Sequence, residues 1–237
     1  MDTDEWIGTA YVPEGEELRL VRHDGDFSIL LRDNELMSTL ASASEEALAT
    51  MTCERLGKRS DLQMLIGGYG MGFTLRAALD VLAVDAEVTV AELVPEIIDW
   101  ARGPMAAFTA GCLDDPRVTL VDEDVAVLIN AANSAYDAIL LDVDNGPEGL
   151  TRRVNDRLYG RAGLHSAMAA LRPGGVLAVW SATPEERFAK SLAEAGFEVS
   201  EEVVPARACG EGHTHVIWFA HKPAMAKAER LEELTPR

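Results

Sequence analysis

Between Leu62 and Glu92 the chain reads LQMLIGGYGMGFTLRAALDVLAVDAEVTVAE, and no other stretch restricts the fold as much. A short apolar run, Leu62 to Ile66, has the length of a buried strand. Four glycines follow within six residues: Gly67, Gly68, Gly70 and Gly72. Phe73 to Leu82 then reads as a helix, with Phe73, Ala77 and Leu79 among its apolar positions. A second apolar run, Val88 to Ala91, ends in Glu92. Strand, glycine turn, helix, strand and terminal acid together predict a nucleotide-binding βαβ unit.

Each part has a physical task. Glycines allow the sharp turn out of the strand and let a ligand approach the backbone without meeting a Cβ. Glu92 lies 20 residues after Gly72, at the carboxyl end of the second strand. An acid there accepts hydrogen bonds from ribose hydroxyls. The spacing is G-G-x-G-x-G, not G-x-G-x-x-G, and no lysine follows to make a P-loop. A ligand-free tight turn in a doubly wound sheet is the plainer alternative. The strand before the turn and the acid after it favour a ligand.

The rest of the chain repeats the alternation. Glu17 to Val21 and Phe27 to Arg32 flank Asp24-Gly25, a hairpin signal, so residues 1–43 are expected to form a small N-terminal β element. Ser44 to Leu56 reads as a helix with Ser44 as N-cap, Glu45 and Glu46 as first-turn acids, and Gly57 as its stop. After Glu92 come a helix from Val94 to Ala101, a strand from Val118 to Val121, a helix from Val125 to Asn130 and a strand from Tyr136 into Asp142. A helix from Ala162 to Leu171, a turn at Arg172-Pro173-Gly174-Gly175 and a strand from Val176 to Trp180 follow. A last helix, Glu185 to Ala195, leads to two closing strands, Phe197 to Val204 and His215 to Ala220. The fold class is therefore α/β. It is a doubly wound, Rossmann-like, mostly parallel sheet over residues 44–222, with an antiparallel C-terminal pair and a charge-rich tail at 223–237. In such a sheet the carboxyl ends of the strands share one rim, where ligands bind. Acids collect there: Glu92, then Asp122, Glu123 and Asp124, then Asp142 and Asp144.

Composition bounds the partners. Among 237 residues, 40 acids face 21 basic residues, a formal net charge of -19. Nucleic acid and anionic membrane surfaces repel such a field, so neither is an expected partner. A small, cationic substrate is tolerated. Cys53, Cys112 and Cys209 lie far apart without CxxC spacing and read as free thiols of a reducing compartment. With no signal-peptide pattern at the N-terminus, a cytoplasmic location is expected.

The segments MLIGGYGMG, VTVAELVPEII, DPRVTLVDEDV, YDAILLDVDNGP and LRPGGVLAVW occur in an order that resembles the spermidine synthase family. That family lies within the class I S-adenosylmethionine-dependent transferase fold, and the resemblance runs from roughly Arg32 to Lys222. It implies a cofactor, S-adenosylmethionine or its decarboxylated form, cradled by Gly67, Gly68, Gly70 and Gly72. It implies ribose binding by Glu92 with Leu93 beside it, adenine binding by Asp124 with Val125 beside it, and Asp142 as catalytic aspartate. Two departures stand out. The family's G-G-G-D-G turn places an aspartate beside the ammonium of the transferred aminopropyl group, whereas the matching stretch, Gly67 to Gly72, has none. The family's D-[ST]-[ST]-D-P is here Asp142-Val143-Asp144-Asn145-Gly146-Pro147. Loss of one such anion removes a charge-assisted contact of roughly 1.5–3 kcal/mol.

Asp142 is the expected base, with Asp144 second. Tyr69 is expected as a wall or hydrogen-bond partner for the substrate, and Asn145 as a substrate contact. The expected reaction is alkyl transfer, methyl ahead of aminopropyl, to an amine; a scaffold that binds nucleosides without turnover is the non-enzyme alternative. His213 and His215 make an HxH pair without a third ligand by spacing, so no metal is expected. Trp100 and Trp180 read as packing, Glu45 and Glu46 as helix-start charges, and the tail as a solvated face, with a homodimer contact as the minority reading.

Overall fold

The computed structural model describes residues 5–12, 15–32, 34–143, 146–147 and 157–224. Four antiparallel strands come first: β1 (Glu5–Tyr11), β2 (Glu17–His23), β3 (Asp26–Leu31) and β4 (Asn34–Ser38), in that spatial order. Asp24 and Gly25 join β2 to β3 with φ of 51° and 95°. Two positive φ values are what a tight hairpin turn requires, which is why Asp-Gly signals it. Leu18 and Leu20 on β2 and Phe27, Ile29 and Leu31 on β3 are buried, so the alternation of each strand sets its inner face.

Helix α1 (Ala43–Leu56) then leads into β5 (Gln63–Gly67), α2 (Phe73–Val81) and β6 (Glu87–Glu92). Next come α3 (Pro95–Arg102), a short α4 (Ala106–Thr109), a 3-10 turn at Cys112–Asp114, β7 (Val118–Asp122), α5 (Val125–Ala131) and β8 (Tyr136–Leu141). The described chain closes with α6 (Arg161–Ala170), β9 (Leu171–Ser181), α7 (Glu186–Glu194), β10 (Glu198–Pro205) and β11 (Thr214–His221). Strands β5 to β11 form one sheet in the order β10-β11-β9-β8-β5-β6-β7. Pairing is parallel from β7 through β6, β5 and β8 to β9, while β11 runs antiparallel to both β9 and β10.

Both faces of the sheet are covered. On β5, Met64 and Ile66 join an apolar cluster that also holds Leu48 of α1 and Leu75 of α2, whereas Leu65 faces the opposite cluster with Ile129 and Leu164. On β8, Ala138 and Leu140 belong to the first cluster and Ile139 and Leu141 to the second. Continuous apolar runs such as Ala138 to Leu141 follow from this double burial. No helix among the described residues is long and apolar enough to cross a membrane.

Three local differences from the sequence reading have physical causes. Helix α1 starts at Ala43, so Ser42, without a side-chain cap bond, holds the N-cap position, and Ser44 lies in the first turn with its hydroxyl bonded to Glu45 and His215. Strand β9 starts at Leu171: Tyr136 pairs Leu171 and Ala138 pairs Val176, so the Arg172–Gly175 turn bulges out within one strand. The segment after Pro104 folds into α4 and the 3-10 turn, too short for apolar periodicity to reveal.

Candidate active site at the carboxyl rim

The glycine turn is held from both sides by the neighbouring strand ends. Gly68 N–H donates to the Ala91 carbonyl at 2.9 Å, and Asp142 N–H donates to the Gly67 carbonyl at 3.0 Å. Gly68 has φ of 84°, and a Cβ there would lie 2.3 Å from the Asp142 carbonyl oxygen. Only glycine fits at that crossing. Gly67 lies against Val125, which is buried and packs α5 onto the turn. Gly70 faces Met37 of β4, whose sulfur would be 3.0 Å from an added Cβ, so the N-terminal sheet reaches the same turn.

Glu92 closes β6 with its carboxylate turned beneath the glycines. It is 6% exposed, accepts from Tyr69 N–H at 2.9 Å and, through its other oxygen, from Val94 N–H at 2.9 Å. Burial pushes its carboxyl up, and the N–H groups of Tyr69, Val94, Gly70 and Leu93 oppose that push. The acid thus fixes the turn itself as well as the strand end. Leu93, next to it, is exposed, an apolar side chain left at the rim. Asp124 is the N-cap of α5, with Oδ1 accepting from Ala126 N–H at 2.8 Å.

Asp142 directly follows β8 and is the centre of the candidate site. Thr74, in the first turn of α2, donates its hydroxyl to Asp142 Oδ2 at 2.6 Å and lies 3.3 Å from the Glu45 carbonyl oxygen. Glu45 of α1 is 9% exposed, with Oε2 accepting from Ser44 Oγ at 2.7 Å. Ser44 Oγ in turn stands 2.8 Å from His215 Nδ1, and the His215 ring meets Trp180 edge-on at 4.7 Å between centroids. Burial, and then the neighbouring Asp142, push the Glu45 carboxyl from 4.5 up to about 8. Burial pushes Asp142 from 3.8 up to about 6, with the Thr74 hydrogen bond opposing. Two crowded acids at the end of a strand, one tuned near neutrality, are suited to proton transfer.

A glycine turn, the β6 acid and a terminal β8 aspartate on one rim agree with the comparisons made to known proteins. The spermine/spermidine synthase domain matches residues 45–225. The chain belongs to that family. Polyamine aminopropyltransferase 2 of Pseudomonas aeruginosa is 36% identical over 120 residues, which cover 49% of this chain and 32% of the relative. Putrescine N-methyltransferase 1 of Nicotiana tabacum is 34% identical over 116 residues, covering 48% and 29%. The chain thus spans about a third of the length of these curated relatives. In fold it is similar to the spermidine synthase of Thermotoga maritima, with a TM-score of 0.73 over 98% of this chain and 79% of that one, at 16% identity. A spermidine synthase in complex with the transition-state analogue AdoDATO gives 0.72 with the same coverages and identity.

The structure brings together Gly67, Gly68, Gly70, Gly72, Glu92, Leu93, Val125 and Asp142 around the turn and the adjoining strand ends. Asp124, two residues past the end of β7, caps α5 next to Val125. Tyr69 has a different place from the one read for it: it is 3% exposed, and its hydroxyl lies 3.4 Å from Cys112 Sγ beneath the turn. Its ring props up Gly72 instead of walling a substrate. Asp144 and Asn145 lie outside the described residues. Glu45 is the residue sequence reasoning undervalued, reading it as a helix-start charge ahead of a site acid. Its signal was the helical stripe Glu45, Leu48, Ala49, Thr52, Leu56, all buried, on which the acid occupies a core position. Among the described residues, no group of three or more His, Cys, Asp or Glu is placed to hold a metal ion, and His213 is exposed.

Proposed function

We propose that this protein is a transferase that moves an alkyl group, a methyl in the first instance, from a sulfonium nucleoside to an amine. The observation that carries the reading is Asp142: a carboxyl held by Thr74 on the rim of a family fold, directly beside a glycine turn that admits no Cβ. S-adenosylmethionine fits this chain's residues, with the glycine turn as its backbone cradle and Glu92, Leu93 and Asp124 framing the nucleoside. When bound, it supplies an alkyl carbon whose bond to sulfur breaks, the electron pair staying on sulfur, as the amine lone pair forms the new C–N bond.

The chain's own work is to prepare and place the amine. An amine nucleophile reaches the site as an ammonium and needs to lose a proton before its lone pair is available. Asp142 accepts that proton and orients the nitrogen. Little else is required, because the leaving group is already activated and positioning dominates the barrier. Methyl transfer is preferred because the turn from Gly67 to Gly72 carries no acid and is faced by Met37 at Gly70, a poor setting for the free ammonium of a decarboxylated donor. Aminopropyl transfer is the second reading, favoured by the likeness to the Pseudomonas aeruginosa aminopropyltransferase.

The test is incubation with S-adenosylmethionine or its decarboxylated form and a panel of diamines, with products followed by mass. S-adenosylhomocysteine and a methylated amine are expected. Methylthioadenosine formed only from the decarboxylated donor would replace methyl by aminopropyl transfer. Absence of any nucleoside product would return the protein to the scaffold reading.

A further inference from the structure

The chain buries an acid, Glu45, that sequence reading took for a helix-start charge, and it does so beside the catalytic candidate. Glu45 comes from α1, Asp142 from β8, and Thr74 of α2 touches both, through the Asp142 carboxyl and the Glu45 carbonyl. Among the described residues, no arginine or lysine is bonded to either carboxyl. A buried pair of like charges without a cation is costly, since burial and mutual repulsion both disfavour the ionised forms. Such an arrangement is expected where a cationic ligand completes it.

A neighbouring ring shapes the same corner. Trp180 is 6% exposed. Leu141 pairs with Val179, so the next residues along the two strands, Asp142 and Trp180, lie side by side at the rim. Leu140, Ala178 and Trp180 belong to the same apolar cluster, which puts Trp180 on the face of the sheet covered by α1. An aromatic ring beside the Asp142 carboxyl is a favourable wall for an ammonium.

We propose that Glu45 is a second carboxylate of the acceptor site, a positioning residue that, with Asp142, holds the ammonium end of the amine. The proposal rests on the transferase reading above and names its acceptor class: a primary amine that arrives protonated. In the empty site the pair keeps a proton, because two adjacent buried acids resist full ionisation. An arriving ammonium supplies the missing positive charge, and that proton leaves to solvent. One N–H proton of the ammonium then passes to Asp142, giving a carboxylic acid and a neutral amine with a free lone pair. The groups facing Glu45 are Asp142 from β8, the Thr74 hydroxyl from α2, Ser44 and Glu46 on its own helix, and His215 of β11 through Ser44.

Calorimetry of putrescine binding to protein saturated with S-adenosylhomocysteine tests this, run near pH 7 in phosphate and in Tris to count protons. Wild type is expected to release about one proton per putrescine bound. Glu45→Gln, which keeps the shape and the Ser44 contact, should weaken putrescine by about 10–100-fold and abolish the release, with S-adenosylhomocysteine affinity unchanged. Glu45→Asp should recover part of both. If Glu45→Gln binds putrescine as wild type does, with the same proton release, Glu45 has no part in the site while the transferase reading stands. Wild type that binds S-adenosylhomocysteine but no putrescine overturns the acceptor assignment. Wild type that binds neither S-adenosylhomocysteine, methylthioadenosine nor putrescine overturns the transferase reading and this proposal with it.

Discussion

Strand β8 buries an aspartate at its start and carries another just past its end, and their surroundings treat them in opposite ways. Asp137, at the amino end, is 5% exposed and fully partnered. Its Oδ1 accepts from Arg59 at 2.8 Å, and its Oδ2 accepts from Arg172 at 2.7 Å and from the Gln63 N–H at 2.9 Å. Arg59 also reaches the Gly174 carbonyl, at 2.6 Å, so the acid ties the loop before β5 to the turn inside β9. Asp142, at the carboxyl end, has one short hydrogen bond from Thr74 and a second acid for a neighbour. Neutralised by two guanidinium groups, a buried carboxylate is a structural clamp. Left beside another carboxyl, it is set apart as the base proposed for the amine. The contrast follows from the parallel sheet, whose amino ends are closed by structural loops while its carboxyl ends open on the ligand.

The largest expected effect breaks this contrast at the catalytic end. Asp142→Asn should lower turnover of the amine by about 10²–10⁴-fold, the range for removing a positioned base. Its thermal stability should hold or rise, since Glu45 loses a like-charged neighbour. Paired kinetics and melting curves check this, and a large fall in Tm with turnover intact would make Asp142 structural.

Asp137→Ala should do the reverse. Removing one partner of a buried ion pair costs about 3–5 kcal/mol, reduced to about 2–3 here because Arg59 and Arg172 keep side-chain exposures of 27% and 39%. For a chain of this size Tm falls by about 2–4 °C per kcal/mol. Turnover per folded molecule should stay at the wild-type value at a temperature where both proteins are folded. Loss of turnover without loss of Tm would show that the two ends of β8 are not separable.

How far sequence reading reached differs between these acids for physical reasons. Asp142 could be placed on the rim because it follows an apolar strand, a local pattern, and its candidate role came from the family resemblance. The glycine turn and Glu92 were legible for the same reason: strand, turn, helix and strand are consecutive. Asp137 went unremarked because its guanidinium partners are 78 and 35 residues away, distances at which no spacing rule operates. Glu45 was misread because Ser-Glu-Glu at a helix start usually marks a cap and solvated charges. What buries it is the docking of α1 against α2 and β9, a tertiary event. Ser44 was misread with it, its hydroxyl being drawn to Glu45 and His215 and away from the helix end.

The smallest effect sharpens the comparison by titration. Folding raises Glu45 from 4.5 to about 8 and Asp142 from 3.8 to about 6, so the folded chain holds protons that the unfolded chain releases. Stability therefore falls wherever the unfolded state binds fewer protons. The contribution of these two groups is fully present below about pH 4 and is lost as pH rises through 6 and then 8. His215 and His221 act in the opposite sense near and below 6.5, because burial holds their protonation down in the folded chain. Comparison with a variant removes that background. Between pH 5 and 8.5 the Tm of wild type should decline relative to that of Glu45→Gln, the two curves diverging by several degrees at the alkaline end. Glutamine keeps the buried shape without a charge to desolvate, so the variant should be the more stable protein at pH 8. Asp137→Ala should leave the wild-type slope in place while lowering the whole curve. Parallel curves for wild type and Glu45→Gln would mean that Glu45 titrates as an ordinary surface acid, and the buried pair at the carboxyl end of β8 would lose its distinction from the clamp at the other end.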